Sequence, residues 1–247
     1  MESLLYSFIA GASTAIGAII IALIGRPGQK VLSGLLGFAG GIMIAISAFK
    51  LIPEAEEISS TYSAVIGFIL GAAMMYLLDK LIPHTHLPGG DEVVTEGVST
   101  NSNEKSVLKT GYLIFLGIAL HNLPEGLAIG AGLESNPELG FAIAVAIALH
   151  NIPEGMAVAG PLRSGGISWF KVFMLTLFAG LMTPVGAAIG LTIFGISSIF
   201  VGLGLAFAAG AMVYIVSDEL MPMSHGYHNH TANTGFIMGF ILGFLIV

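Results

Sequence analysis

Two near-identical stretches carry the side chains best suited to chemistry. Ile118-Ala-Leu-His-Asn-Leu-Pro-Glu-Gly126 recurs as Ile147-Ala-Leu-His-Asn-Ile-Pro-Glu-Gly155, with one conservative change. In each copy His and Glu stand four residues apart, so a helix places them on one face. The Asn beside each His is offset by about 100° and reaches the edge of the same pocket. Proline has no N–H, and its ring opposes the carbonyl four residues earlier. Pro124 therefore frees the carbonyl of Leu120, and Pro153 that of Leu149. The glycine that follows lets a neighbouring helix come close. Together the copies offer His121, Asn122, Glu125, His150, Asn151 and Glu154.

Carboxylate and neutral imidazole match a divalent cation of zinc type in softness and ligand number. Two carboxylates also cancel the ion's charge, and a neutral assembly tolerates a low dielectric. There is no cysteine, which excludes disulfides, iron–sulfur clusters, thiolate metal sites and cysteine nucleophiles. An intramembrane metallohydrolase is a remote alternative. It needs an open metal position and a general base, and no spare Glu stands beside the ligands in a His-Glu-x-x-His pattern. The reading is a carrier, not an enzyme, with a selective divalent-cation channel as the open alternative.

The elements that hold these residues are apolar. Of 247 residues, 55% are hydrophobic and only 9% charged, and 34 glycines are spread through the apolar runs. A soluble domain carries roughly 25% charged residues. The runs are continuous rather than alternating, so the chain reads as all-α integral membrane, its backbone bonds closed inside helices. Charge-free gaps of about 20 residues place eight transmembrane helices near 3–25, 31–53, 62–82, 108–132, 138–161, 170–194, 198–222 and 232–247. The first has an acidic start and too long an apolar run for a signal peptide, so it reads as a retained span. Seven of the eight Lys and Arg fall on one side, Lys50 being the exception; that side is cytoplasmic and both termini lie outside. Trp169 reads as an interfacial anchor beside Lys171. The segment 83–107 between the third and fourth spans reads as a flexible cytoplasmic loop, with His84 and His86 as a weak metal-collecting pair.

A fainter repeat accompanies the strong one. Phe38-Ala-Gly-Gly-Ile-Met43 matches Phe207-Ala-Ala-Gly-Ala-Met212, and at the same offset Leu51-Ile-Pro53 matches Leu220-Met-Pro222. The paired spans run in opposite directions across the membrane. Inverted repeats around a midplane site on interrupted helices mark secondary transporters.

These residues resemble the ZIP (Zrt/Irt-like protein) family of divalent metal transporters, close to its bacterial zinc-uptake branch. The resemblance rests on the two His-Asn-x-Pro-Glu-Gly motifs, on Gly37-Phe-Ala-Gly-Gly-Ile-Met43 and on Ser217-Asp-Glu-Leu-Met-Pro222, and covers nearly the whole chain as one domain, 1–247. It implies a 3+2+3 arrangement of the eight helices with inverted repeats, and import into the cytosol of Zn²⁺, with Fe²⁺, Mn²⁺, Co²⁺ or Cd²⁺ as further cargo. The metal is cargo; no resident cofactor is implied. By position Met43, His121, Glu125 and Glu154 look like ligands, with Asn122, His150 and Asn151 beside them. Asp218 and Glu219 look like an exit relay, joined by His225. His228 and His230 share with His225 what reads as a cytoplasmic loop and make a weak acceptor for departing metal. The expected setting is the lipid bilayer of a bacterial inner membrane, with no nucleic acid; a homodimer is left open. Two departures bear on metal number. Many relatives carry Glu before the proline of the sixth span, where this chain has Thr183, and an acid near the end of the second, where it has Lys50. One metal or two therefore stays open at this point.

Overall fold

The computed structural model describes residues 2–25, 27–81, 85–86, 94–95, 104–194 and 197–246. With so few charges and so many apolar side chains, the backbone satisfies itself within helices. The first three spans are α1 (Glu2–Ile24), α2 (Gln29–Ile46) continued through a π-helical turn (Ser47–Leu51) into α3 (Ile52–Ile58), and α4 (Thr61–Leu81). A two-residue antiparallel pairing of β1 (Thr85–His86) with β2 (Val94–Thr95) follows. The central pair is α5 (Glu104–Ser135) and α6 (Pro137–Ser164), joined by Asn136 alone. Asn136 caps α6 by accepting from the Glu138 N–H. The last three spans are α7 (Trp169–Gly180) with α8 (Met182–Phe194), α9 (Ser198–Ile215) continued through a π-turn (Val216–Leu220) into α10 (Met221–Tyr227), and α11 (Asn229–Ile246).

This is an all-α, multi-pass membrane protein. Among the described residues, seven helical stretches are long and apolar enough to cross a membrane. The eighth span, α11, has 18 residues and opens on the polar Asn229-His-Thr-Ala-Asn-Thr234. Large apolar side chains stay exposed along α4, including Val65, Ile66, Ile69 and Leu70, as a lipid-facing helix requires.

The sequence reading is corrected in four places. The sixth span is two helices, broken at Leu181, because Pro184 cannot donate to the Gly180 carbonyl. The second and seventh spans run on past Pro53 and Pro222 to Ile58 and Tyr227. Each proline sits at the start of a short helix, where its missing N–H costs nothing, and the π-turn before it takes up the change in register. The loop expected over 83–107 ends early, since α5 begins at Glu104. The supposed cytoplasmic loop bearing His225, His228 and His230 is helical: His225 lies in α10, His230 in α11, and His228 is the corner between them. His228 caps α11 by accepting from the Thr231 N–H at 3.3 Å.

The faint repeat governs the architecture. Adding 169 to the bounds of α2, its π-turn and α3 gives those of α9, its π-turn and α10. Close helix crossings repeat in the same way. A Cβ on Gly155 would collide with the Thr14 carbonyl, and one on Gly126 with the Thr183 carbonyl. Gly17 meets the Ile152 carbonyl as Gly186 meets that of Leu123. Gly11 and Gly180, also 169 apart, meet each other. The pseudo-two-fold axis therefore runs through the Gly11–Gly180 crossing. It relates α1 against α6 to α8 against α5, and each motif glycine is what lets its helix come within backbone contact.

Candidate metal centre

The two motifs fold as the spacing requires. Pro124 and Pro153 lie inside continuous helices, and each motif turns its His and Glu toward the other helix. His121 Nε2 lies 3.1 Å from Glu154 Oε2, and His150 Nε2 lies 2.7 Å from Glu125 Oε1. All four side chains are at most 1% exposed. An imidazole N–H donating to a carboxylate of the facing helix makes a charge-assisted link. The other nitrogens, His121 Nδ1 and His150 Nδ1, have no partner among the described residues, nor do Glu125 Oε2 and Glu154 Oε1. Such a concentration of unsatisfied buried polar atoms asks for a ligand.

Ligand atoms of His121, Glu125 and Glu154 all lie within 4.8 Å of one another. That is a three-ligand set of imidazole and two carboxylates with net charge −2 once ionised, suited to one divalent ion. His150 stands just outside the triad, holding Glu125. Asn122 and Asn151 do something sequence reasoning did not foresee. Asn122 Nδ2 donates to the Ala179 carbonyl at 2.8 Å, beside the break between α7 and α8, and Asn151 Nδ2 donates to the Ala10 carbonyl at 3.1 Å. They tie the central helices to α7 and α1, and leave their amide oxygens without a partner among the described residues.

Met43 is fully buried on α2, in the same core cluster as Ala128, three residues from Glu125, and Ile147, three residues from His150. Its repeat mate Met212 accepts a hydrogen bond from Ser47 Oγ at 3.7 Å, which fixes it as packing. Asp218 and Glu219 occupy the second π-turn. Glu219 is within electrostatic reach of His121, and both acids are within reach of Tyr214. Tyr214 also donates to Asp79 at 3.5 Å. His225 is fully engaged, Nδ1 with the Met221 carbonyl at 2.9 Å and Nε2 with Asn233 Oδ1 at 2.8 Å. The rings of His228 and His230 stand 6.2 Å apart. His84 lies outside the described residues, and for His86 only the backbone is described.

Three residues beyond the motifs belong to this picture: Asp79, Tyr214 and Thr14. Thr14 is buried and sits 169 residues before Thr183, so extending the faint repeat to the first span would have found it.

Comparison with known proteins identifies the family. The family profile described as ZIP Zinc transporter matches residues 86–247. The zinc transporter GufA of Myxococcus xanthus is 34% identical over 98% of this chain and 96% of its own length. The zinc transporter ZupT of Corynebacterium glutamicum is 39% identical over 93% of this chain and 92% of its own. The zinc transporter ZupT of Chlorobium luteolum is 34% identical, with 96% and 93% covered.

Proposed function

The chain belongs to the ZIP zinc transporter family, and from that premise we propose that it carries zinc-type divalent metal into the cytosol through the site between α5 and α6. It is a transporter, not an enzyme. The observation that carries the reading is the buried triad His121, Glu125 and Glu154, whose ligand atoms, from the two facing motif helices, converge within 4.8 Å of one another. One imidazole and two carboxylates hold a Zn²⁺ ion and neutralise it. Met43 supplies a fourth, soft ligand. Fe²⁺, Mn²⁺, Co²⁺ and Cd²⁺ are further cargo for the same donors.

Burial favours a carrier over a channel. A site at most 1% exposed is closed to both faces, so cargo leaves only when helices move. The Gly-lined crossings of α1 with α6 and α5 with α8 bind those helices into one body, which rocks against the body formed by α2, α4, α9 and α11. Metal is admitted from the outer face, where Glu54, Glu56, Glu57, Glu134 and Glu138 lie. It leaves past Glu219, Asp218 and His225 toward the cytoplasm. Most Lys and Arg lie on that inner side, which sets both termini outside, in the inner membrane of a bacterium.

The test is zinc uptake into proteoliposomes. Glu125→Ala and Glu154→Ala each remove a ligand and half the compensating charge, and each is expected to abolish nearly all uptake while the protein still folds. Normal uptake by either purified variant would refute the site.

A further inference from the structure

Thr14 and Thr183, on helices packed against the two motif helices, carry buried polar groups that the transport reading does not use. Both residues are 0% exposed, and neither hydroxyl has a hydrogen-bond partner among the described residues. They occupy matching places in the repeat. The Thr14 carbonyl abuts Gly155, next to Glu154, and the Thr183 carbonyl abuts Gly126, next to Glu125. Both flank the Gly11–Gly180 crossing on the pseudo-two-fold axis. A Cβ on Gly180 would stand 2.8 Å from Thr14 Oγ1, and a Cβ on Gly11 3.1 Å from the Thr183 Cβ. Asn122 and Asn151 reach the same junction, because their amides donate to Ala179 and Ala10, the residues just before those two glycines. Their Oδ1 atoms, like the two hydroxyls, have no partner among the described residues.

Charge and donor type decide what four such oxygens take. None carries a formal charge, so a second divalent ion placed there would keep its full charge in a low dielectric. A water molecule suits them. It donates twice, and a threonine hydroxyl can donate back. Buried waters make about three hydrogen bonds to otherwise unsatisfied groups. Building on the assignment of the triad as the cargo site, we infer that Thr14 and Thr183, with Asn122 and Asn151, form a neutral water-holding subsite next to the metal. Its water is an additional oxygen ligand for the cargo. Zn²⁺ is content with four ligands, whereas Mn²⁺ asks for a fuller oxygen shell. The two threonines are therefore determinants of metal selectivity.

The test replaces both hydroxyls with methyls of equal bulk, Thr14→Val with Thr183→Val, and compares the pair with Thr14→Ser and Thr183→Ser, which keep the hydroxyls. Uptake of Zn²⁺ and Mn²⁺ into proteoliposomes is measured for each. The valine pair is expected to lower the Mn²⁺-to-Zn²⁺ ratio by about tenfold, as loss of one ligand-bearing contact does; the serine pair keeps the wild-type ratio. The visible spectrum of Co²⁺ bound to the purified protein is a second readout. It should change from the weak bands of a higher-coordinate ion to the intense bands of a four-coordinate one in the valine pair alone. That spectrum decides the matter where wild-type Mn²⁺ uptake is too slow to measure. An unchanged ratio with an unchanged spectrum overturns the inference, and so does an equal loss of both metals with an unchanged spectrum, which marks a packing role. Failure of the wild type to carry Zn²⁺ at all is a different result, and strikes the cargo-site assignment itself.

Discussion

His150 Nε2 lies 2.7 Å from Glu125 Oε1, so a residue of α6 fixes the carboxylate that α5 brings to the triad. His121 belongs to the three-residue cluster of converging ligand atoms, and on the proposed reading His150 orients Glu125 instead of binding the ion. Removing a partner that orients a ligand costs about 10–100-fold in metal affinity. His150→Gln is expected to fall in that range, and His121→Ala, which deletes a ligand, to lose more. Competition titration of zinc against a chromophoric chelator in detergent checks this; equal losses would make both histidines ligands.

Acid should weaken zinc binding. The ligands bind metal in their proton-free forms, so metal and protons compete and binding releases protons. Apparent affinity is therefore highest near neutral pH and falls as pH drops from about 7 to about 5.5, through the ordinary imidazole range. Titrations at several pH values read this directly. A flat affinity would mean that neither imidazole nor carboxylate exchanges a proton for the ion.

Backbone contact at the motif glycines makes a packing prediction. A Cβ on Gly126 or Gly155 would overlap the carbonyl of Thr183 or Thr14, whereas one on Gly28 meets nothing within 4 Å. Overpacking of this kind costs about 1–3 kcal/mol. Gly126→Ala and Gly155→Ala should lower the melting temperature in detergent, and Gly28→Ala, which meets no neighbour and only weakens the N-cap of α2, should lower it less. Equal melting of all three would show that α1 and α8 do not bear on the motif helices so closely.

Much of this could be read from residue types alone, because proline, glycine, histidine and acids are rare enough in apolar helices to stand out. The approximate span positions and both motifs follow from such residues; the choice of His121, Glu125 and Glu154 from the six motif side chains comes from the family resemblance. Other features are silent in sequence. The break at Leu181 depends on Pro184 acting four residues upstream, and the π-turns at Ser47–Leu51 and Val216–Leu220 have no compositional mark. Thr14 looks like any small residue in an apolar run. Hydrophobic periodicity could not help, since lipid and protein core are equally apolar and a membrane helix shows no strong polar face. The amide donation of Asn122 and Asn151 to α7 and α1 rests on tertiary contact, which the motif spacing does not encode.

Charge should set metal number. Glu125 and Glu154 neutralise one divalent ion; a bridged pair about 3.5–4 Å apart needs more carboxylate. Thr183 offers a hydroxyl, and Lys50, half-buried in the first π-turn, adds a positive charge in place of an acid. Thr183→Glu combined with Lys50→Glu is expected to raise bound zinc from about one to about two per chain, counted by elemental analysis after desalting. A ratio that stays near one would show that charge is not what limits the site.

The most direct test of the account is anomalous diffraction at the zinc edge from crystals of the zinc-loaded, unmodified protein. It should show one strong peak within the span of helices α5 and α6, between His121, Glu125 and Glu154. Two peaks bridged by Glu125 and Glu154, or a single peak away from these three residues, would contradict it.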